Sequence, residues 1–98
     1  MLKHIVMIKL EQAEESVLKE RSDKLIAMLH ALKESIPALY KMEVGANIST
    51  RPSAYDIVLI SEFKNEDDLN TYRIHPKHQD VLTYMKQIIS DAKVVDYL

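Results

Sequence analysis

The first ten residues alternate in a pattern typical of a β-strand with apolar side chains on both faces. The residues on one face are Leu2, His4, Val6, Ile8 and Leu10. The residues on the other face are Lys3, Ile5, Met7 and Lys9. Because large apolar side chains occupy both faces, we expect this strand to lie inside a sheet that is covered on both sides.

From about residue 13 to residue 35, the apolar positions take the spacing of an amphipathic helix. These positions are Leu18, Leu25, Leu29, Leu32 and Ile36, and the residues between them are mostly Glu, Lys, Arg and Asp. The residue before a proline disfavours helical backbone, so Pro37 should end the helix. The pattern predicts one long helix with a single buried face.

Two further strands are predicted after this helix. Residues 39–48 alternate, with one half-buried face made of Tyr40, Met42, Val44, Ala46 and Ile48. Residues 54–63 (AYDIVLISEF) are rich in β-branched and aromatic side chains, which favour strands. The polar connection between them, residues 49–53, indicates a hairpin of the second and third strands.

The last third of the chain predicts two helical pieces and a final strand. Asn65 is followed by three acidic residues, which is typical of a helix N-terminus, and this short helix should run to about Arg73. Pro76 suits the first turn of a second piece. The apolar positions of that piece are Val81, Leu82, Met85, Ile88 and Ile89. Residues 92–98 (AKVVDYL) predict the last strand.

The resulting order, β-α-β-β-α-β, predicts an α+β fold of the ferredoxin-like type with a four-stranded antiparallel sheet. In this fold both helices lie on one side of the sheet. The first and third strands carry apolar residues on both faces, so a single subunit would expose a large hydrophobic patch on the bare side. We therefore expect a homodimer in which two sheets cover each other and form a dimeric α/β barrel.

Composition is that of one small globular domain covering residues 1–98. Hydrophobic residues make up 47% of the chain and charged residues 29%, as in ordinary folded proteins. A chain of 98 residues is too short for two independent cores. Lys and Arg total 13 against 15 Asp and Glu, without a long block of either sign, so nucleic acid is not an expected partner.

Other classes are excluded by what the sequence lacks. No cysteine is present for a disulfide or for thiolate chemistry. Gly45 is the only glycine, so there is no glycine-rich phosphate loop. No segment approaches the ~20 apolar residues that span a bilayer, and the N-terminal apolar run is too short and too interrupted for a signal peptide. We expect a cytoplasmic protein that is not embedded in a membrane.

Several segments resemble the stress-responsive dimeric α/β-barrel (Dabb) domain family. They are KHIVMIKL at residues 3–10, Ile36-Pro37-Ala38-Leu39, and the run Tyr72-Arg73-Ile74-His75-Pro76-Lys77-His78. The resemblance spans nearly the whole chain. It implies a dimer whose two sheets face one another, with a cavity between sheet and helices in each subunit.

The resemblance also implies positions for a site. In a plant polyketide cyclase of this family, the second histidine of the His-Pro-x-His motif is a general base that works with a nearby tyrosine. These roles correspond to His78 and Tyr72, and the cyclase's early-strand histidine corresponds to His4. Asp56 stands where the cyclase has a histidine in its third strand, and Leu29 stands where it has a pocket tyrosine.

The residues themselves allow two interpretations of this site. As a neutral imidazole at the start of a helix, His78 can take a proton from a substrate, while the Tyr72 hydroxyl orients an oxygen-bearing ligand. Alternatively, His75 and Pro76 shape the loop, His78 caps or packs the helix, and Tyr72 is an ordinary buried tyrosine. His4 fits either a pocket or a core position with one hydrogen-bond partner.

We therefore carry two main hypotheses. In the first, a homodimer binds a small, largely apolar molecule in a pocket bounded by Tyr72, His75, His78 and His4, with acid–base chemistry on a carbonyl compound that needs no cofactor. In the second, the chain is a non-catalytic stress-associated or assembly protein. A haem-handling or cofactor-free oxygenase has weaker support because the chain has no tryptophan.

A metal site is not predicted. It would need His75, His78, Asp80 and Asp56 to converge, and their spacing alone does not require this.

Overall fold

The computed structural model describes residues 1–98, and its elements follow the predicted order. They are β1 (Leu2–Leu10), α1 (Glu15–Ser35), β2 (Lys41–Ala46), β3 (Ile57–Phe63), α2 (Glu66–Ile74), α3 (Pro76–Ile88) and β4 (Ile89–Tyr97). The second helical region is divided at His75, as expected from the proline that follows it. None of the helices is long and apolar enough to cross a membrane.

The four strands form one antiparallel sheet in the order β2-β3-β1-β4. Strand β1 is central because it pairs with both β3 and β4. This position explains its apolar residues on both faces. Strands β2 and β4 are the edges of the sheet.

The hydrophobic core lies between the helices and one face of the sheet. Strand β1 contributes every second residue to it, and β3 does the same with Ile57, Leu59 and Phe63. Helix α1 covers this face with Leu25 and Leu29, both almost completely buried, as its apolar stripe predicts. We call this side the helix face.

The opposite side of the sheet, which we call the open face, has no helix on it. Its centre is formed by the neighbouring positions Ile60 on β3, Ile5 on β1 and Val95 on β4. Met7 and Val95 are 44% and 59% exposed in the single subunit. The apolar residues that the sequence places on this face therefore lack a cover within one chain.

Several element boundaries differ from those predicted. Strand β2 is shorter than residues 39–48, and Tyr40 and Ile48, which lie outside it, are 56% and 98% exposed. Strand β3 begins at Ile57 rather than residue 54. Strand β4 begins at Ile89 rather than residue 92, because α3 ends at Ile88 and the backbone becomes extended at once without a loop.

Candidate functional site

A cavity of about 490 Å³ lies between the helix face of the sheet and the helices, beside the edge strand β4. Nine of its 13 lining residues are hydrophobic. They include Leu29 of α1, Met85 of α3 and Val94 of β4. Ile74 and Val94 are 77% and 54% exposed, so the cavity opens to solvent at this edge. Its size and apolar lining are typical of small-molecule sites.

Four polar residues line the same cavity: His4, Arg73, His78 and Gln79. His4 reaches it because the even-numbered residues of β1 point to the helix face. The others come from the junction of α2 and α3, where Pro76 opens the new helix and turns its first residues back toward the end of α2. The polar groups are therefore concentrated at one end of an apolar space.

The His78 ring is held by the backbone of α2. Its Nδ1 lies 3.0 Å from the carbonyl oxygen of Arg73. A carbonyl oxygen only accepts hydrogen bonds, so Nδ1 carries the hydrogen and the lone pair of the neutral ring is on Nε2. Burial lowers the pKa of His78 from its ordinary value, the hydrogen bond to Arg73 opposes this, and the positive charges of His4, Arg73 and His75 lower it further. A neutral imidazole at pH 7 is the form that can accept a proton.

His4 belongs to a second network that also includes Arg73. Its Nδ1 is hydrogen-bonded to a carboxylate oxygen of Asp96 on β4. The other Asp96 oxygen accepts a hydrogen bond of 3.1 Å from Nη2 of Arg73. Arg73 is thus linked to both histidines, through its guanidinium to Asp96 and His4 and through its main-chain carbonyl to His78.

Tyr72 lies behind His78 and is completely buried. Its ring centroid is 4.3 Å from that of His78 and 5.1 Å from that of Phe63. The hydroxyl has no hydrogen-bond partner, and Tyr72 is not among the cavity-lining residues. Burial raises the pKa of this phenol, so it remains protonated at neutral pH. Tyr72 lies behind two cavity-lining rings, His78 and also His4, whose ring centroid is 6.4 Å from its own.

The remaining residues predicted for the site lie in different places. Leu29 lines the cavity, whereas His75 and Asp56 do not. His75 is the N-cap of α3, and its Nδ1 accepts a hydrogen bond of 3.1 Å from the backbone N–H of Lys77. Asp56 precedes β3, and its carboxylate accepts a hydrogen bond of 2.7 Å from the backbone N–H of Leu10. Both side chains are therefore engaged in backbone hydrogen bonds away from the cavity.

The structure has no group of three or more His, Asp or Glu side chains that could hold a metal ion. The four residues considered for such a site are divided between the α2–α3 junction and the start of β3. His78 is bonded to the backbone of α2 and Asp56 to the backbone of β1.

Three residues of the site were not singled out from the sequence: Arg73, Gln79 and Asp96. A signal for Asp96 was present. The alternation Ala92, Val94, Asp96 puts a carboxylate on the apolar side of an edge strand, directly opposite His4 in the pairing of β1 with β4. A carboxylate at such a position needs a partner, and a histidine on the adjacent strand is a suitable one.

The lowered pKa of His78 predicts a specific pH dependence. We expect the Cε1–H resonance of His78 to titrate below pH 6.5, the ordinary value for histidine. As the pH falls below about 6.5, the unfolded chain takes up a proton that the folded chain does not, so the free energy of unfolding should decrease. Urea unfolding at a series of pH values measures this change. In a His78→Gln variant the acid-side loss should be smaller, and an equal loss would contradict the assignment.

Comparison with known proteins agrees with the observed fold. The model of the family described as the stress responsive A/B barrel domain matches residues 2–98. The chain is 35% identical over 81 residues to an uncharacterized protein of Streptomyces coelicolor, covering 81% of this chain and 80% of that protein.

A longer plant protein is also similar. Stress-response A/B barrel domain-containing protein DABB1 of Arabidopsis thaliana is 28% identical over 102 residues, covering 99% of this chain. The match covers 46% of the plant protein, so this chain spans about half the length of that relative. Among solved structures, a dimeric protein of unknown function with a ferredoxin-like fold from Bacteroides fragilis has a TM-score of 0.90 at 30% identity, covering 98% of this chain and 93% of that one.

Proposed function

The chain belongs to the stress responsive A/B barrel domain family, and from that premise we propose that it binds a small, largely apolar carbonyl compound and catalyses proton transfer on it. The cavity beside β4 is the proposed binding site. The observation that carries the proposal is the pair of imidazoles, His4 and His78, at the polar end of an otherwise apolar cavity of about 490 Å³. No cofactor is needed for this chemistry.

The proposed base is Nε2 of His78, because Nδ1 is bonded to Arg73 and the ring is neutral at pH 7. It removes a proton from the carbon next to the carbonyl, and the electron pair of that C–H bond forms the enolate. In this step His4 acts in its imidazolium form: Nδ1–H is bonded to Asp96, and Nε2–H donates a hydrogen bond to the developing negative charge on oxygen. Return of a proton from His78 to carbon regenerates the ketone and leaves the enzyme unchanged.

Tyr72 takes a different part from the one its resemblance to the cyclase residue implies. Its hydroxyl is buried behind His78 and does not line the cavity. The contact of 4.3 Å between ring centroids supports a packing role that holds the His78 ring in position. In the proposed function, Tyr72 is therefore a positioning residue.

Deuterium exchange provides the test of catalysis. With 2-nonanone in D2O, we expect the protein to accelerate exchange at the carbons flanking the carbonyl beyond the rate of free imidazole at equal concentration. A His78→Gln variant should lose about 10²-fold or more of the acceleration, the usual contribution of a general base. His30→Gln, the same change at an exposed position of α1, is the matched control and should exchange at the wild-type rate. Equal exchange rates with the protein and with free imidazole would contradict the catalytic part of the proposal.

The proposed assembly is a homodimer formed through the open face. Ile5, Met7 and Val95 on this face lack a cover within one chain, and a large exposed apolar patch indicates an interaction surface. The similar protein from Bacteroides fragilis is described as dimeric, at 30% sequence identity. Both observations support pairing of this chain with a second copy.

A non-catalytic assembly protein is the alternative, and one observation favours it. The rings of His75 and His78 both form hydrogen bonds to backbone at the α2–α3 junction, so they also stabilise local structure. The two functions differ in the exchange experiment. If His78 has only a structural role, His78→Gln should lower the stability of the protein and leave the exchange rate of 2-nonanone unchanged.

A further inference from the structure

The polar part of the cavity wall carries positive charge but no negative charge. Arg73 is the one permanently charged residue among the four polar residues of the lining, and no Asp or Glu lines the cavity. The nearest carboxylate, Asp96, already accepts hydrogen bonds from His4 and Arg73. A ligand head group that accepts hydrogen bonds, especially an anionic one, is therefore favoured over a cationic one.

Arg73 is the fixed charge in this set. Its side chain is 50% exposed and lies at the cavity mouth beside the exposed Ile74. Only Nη2 forms a hydrogen bond within the protein, to Asp96, so the remaining guanidinium N–H groups are available to a ligand. A guanidinium presents its donors in a planar fork that matches a carboxylate.

We propose that Arg73 selects ligands with an apolar body and a carboxylate head, the body filling the cavity and the head at its mouth. This inference rests on the proposed binding function and specifies the class of ligand. Asp96 and the ligand carboxylate compete for the same guanidinium. The pair Arg73–Asp96 therefore sets the strength of the preference, with Arg73 favouring the acid and Asp96 opposing it.

The competition gives two variants with opposite effects. Arg73→Gln removes the cation and should reduce the ratio of nonanoate affinity to 2-nonanone affinity by about tenfold, as expected for loss of a charge-assisted hydrogen bond. Asp96→Asn keeps an oxygen that accepts from His4 but removes the competing charge, so the same ratio should rise. A purely structural role of this ion pair predicts that both variants change the ratio in the same direction or not at all.

The probes are nonanoate and 2-nonanone, which have the same number of carbons. Binding is followed by NMR on protein labelled with [¹³C-methyl]methionine, in which Met85 lines the cavity and the exposed N-terminal Met1 is an internal reference. Lys77→Gln is the matched control, because it removes one positive charge from an exposed neighbour that does not line the cavity. Its affinity ratio should equal that of the wild type.

The outcomes separate this inference from the proposed function. If 2-nonanone shifts the Met85 signal but nonanoate binds no more tightly, or if Arg73→Gln leaves the ratio unchanged, the assignment to Arg73 is wrong while the binding function stands. If Lys77→Gln lowers the ratio as much as Arg73→Gln, general charge rather than Arg73 is responsible, and the inference fails. If neither probe shifts Met85, the cavity function and the inference fail together.

Discussion

Replacing Ile60 by Asp should convert the proposed dimer into monomers. Ile60 lies at the centre of the open face, paired with Ile5 of β1, which in turn pairs with Val95 of β4. In a dimer formed through this face, the new carboxylate would be buried without a partner, at a cost of several kcal/mol. At about 1.4 kcal/mol per tenfold change, the dissociation constant should rise by at least about two orders of magnitude.

Analytical ultracentrifugation at micromolar concentration measures this effect. Ala27→Asp is the matched control, since it places the same charge at an exposed position of α1, away from the open face. The control variant should remain dimeric. A wild-type protein that sediments as a well-folded monomer, or an Ile60→Asp protein that remains dimeric, would contradict the assignment of this face to self-association.

Replacing Tyr72 should change stability in opposite directions according to what is removed. Tyr72→Phe deletes a buried hydroxyl that has no hydrogen-bond partner, and since an unsatisfied polar group costs about 1–3 kcal/mol, this variant should be more stable than the wild type. Tyr72→Ala also removes the ring that packs on Phe63 and His78, and should lose about 3–5 kcal/mol. Urea unfolding at pH 7 measures both changes.

The same variants separate packing from chemistry. If Tyr72 only positions His78, Tyr72→Phe should keep the deuterium exchange of 2-nonanone, because the ring contact is unchanged.

The raised pKa of Tyr72 also predicts a loss of stability at alkaline pH. Above about pH 10 the unfolded phenol loses a proton that the folded one retains, so the free energy of unfolding falls. Tyr72→Phe should remove its part of this decline. A less stable Tyr72→Phe protein would mean that the hydroxyl has a partner in solution.

Much of the fold follows from periodicity, because burial repeats with the geometry of each element. The alternation of residues 2–10 and the stripe containing Leu25 and Leu29 both predicted which side chains are buried. The junction of α3 and β4 was less predictable. Ile88 and Ile89 are consecutive apolar residues that fit either a helix or a strand, and no glycine or polar turn marks the change.

The site is harder to predict, since it depends on contacts between distant parts of the chain. His4 and His78 were predicted together through the family resemblance, and both line the cavity. Asp96 is 92 residues from His4 in sequence, and only the pairing of β4 with β1 brings them together. Asp56 was selected because it stands where the plant cyclase has a histidine. Its carboxylate instead accepts a hydrogen bond from the backbone of Leu10, at the opposite end of β1 from His4.

Adjacent residues of strand β4 face opposite sides of the sheet. Val94 lines the cavity, and Val95 lies on the opposite surface beside Ile5. In the proposed dimer, an occupant that shifts the β4 backbone at Val94 would also shift Val95, which lies in the proposed subunit interface. Thermodynamic linkage makes such an effect reciprocal, so the factor by which an occupant tightens pairing equals the factor by which pairing tightens its retention. Occupancy of the cavity and the monomer–dimer equilibrium would then share a single coupling free energy.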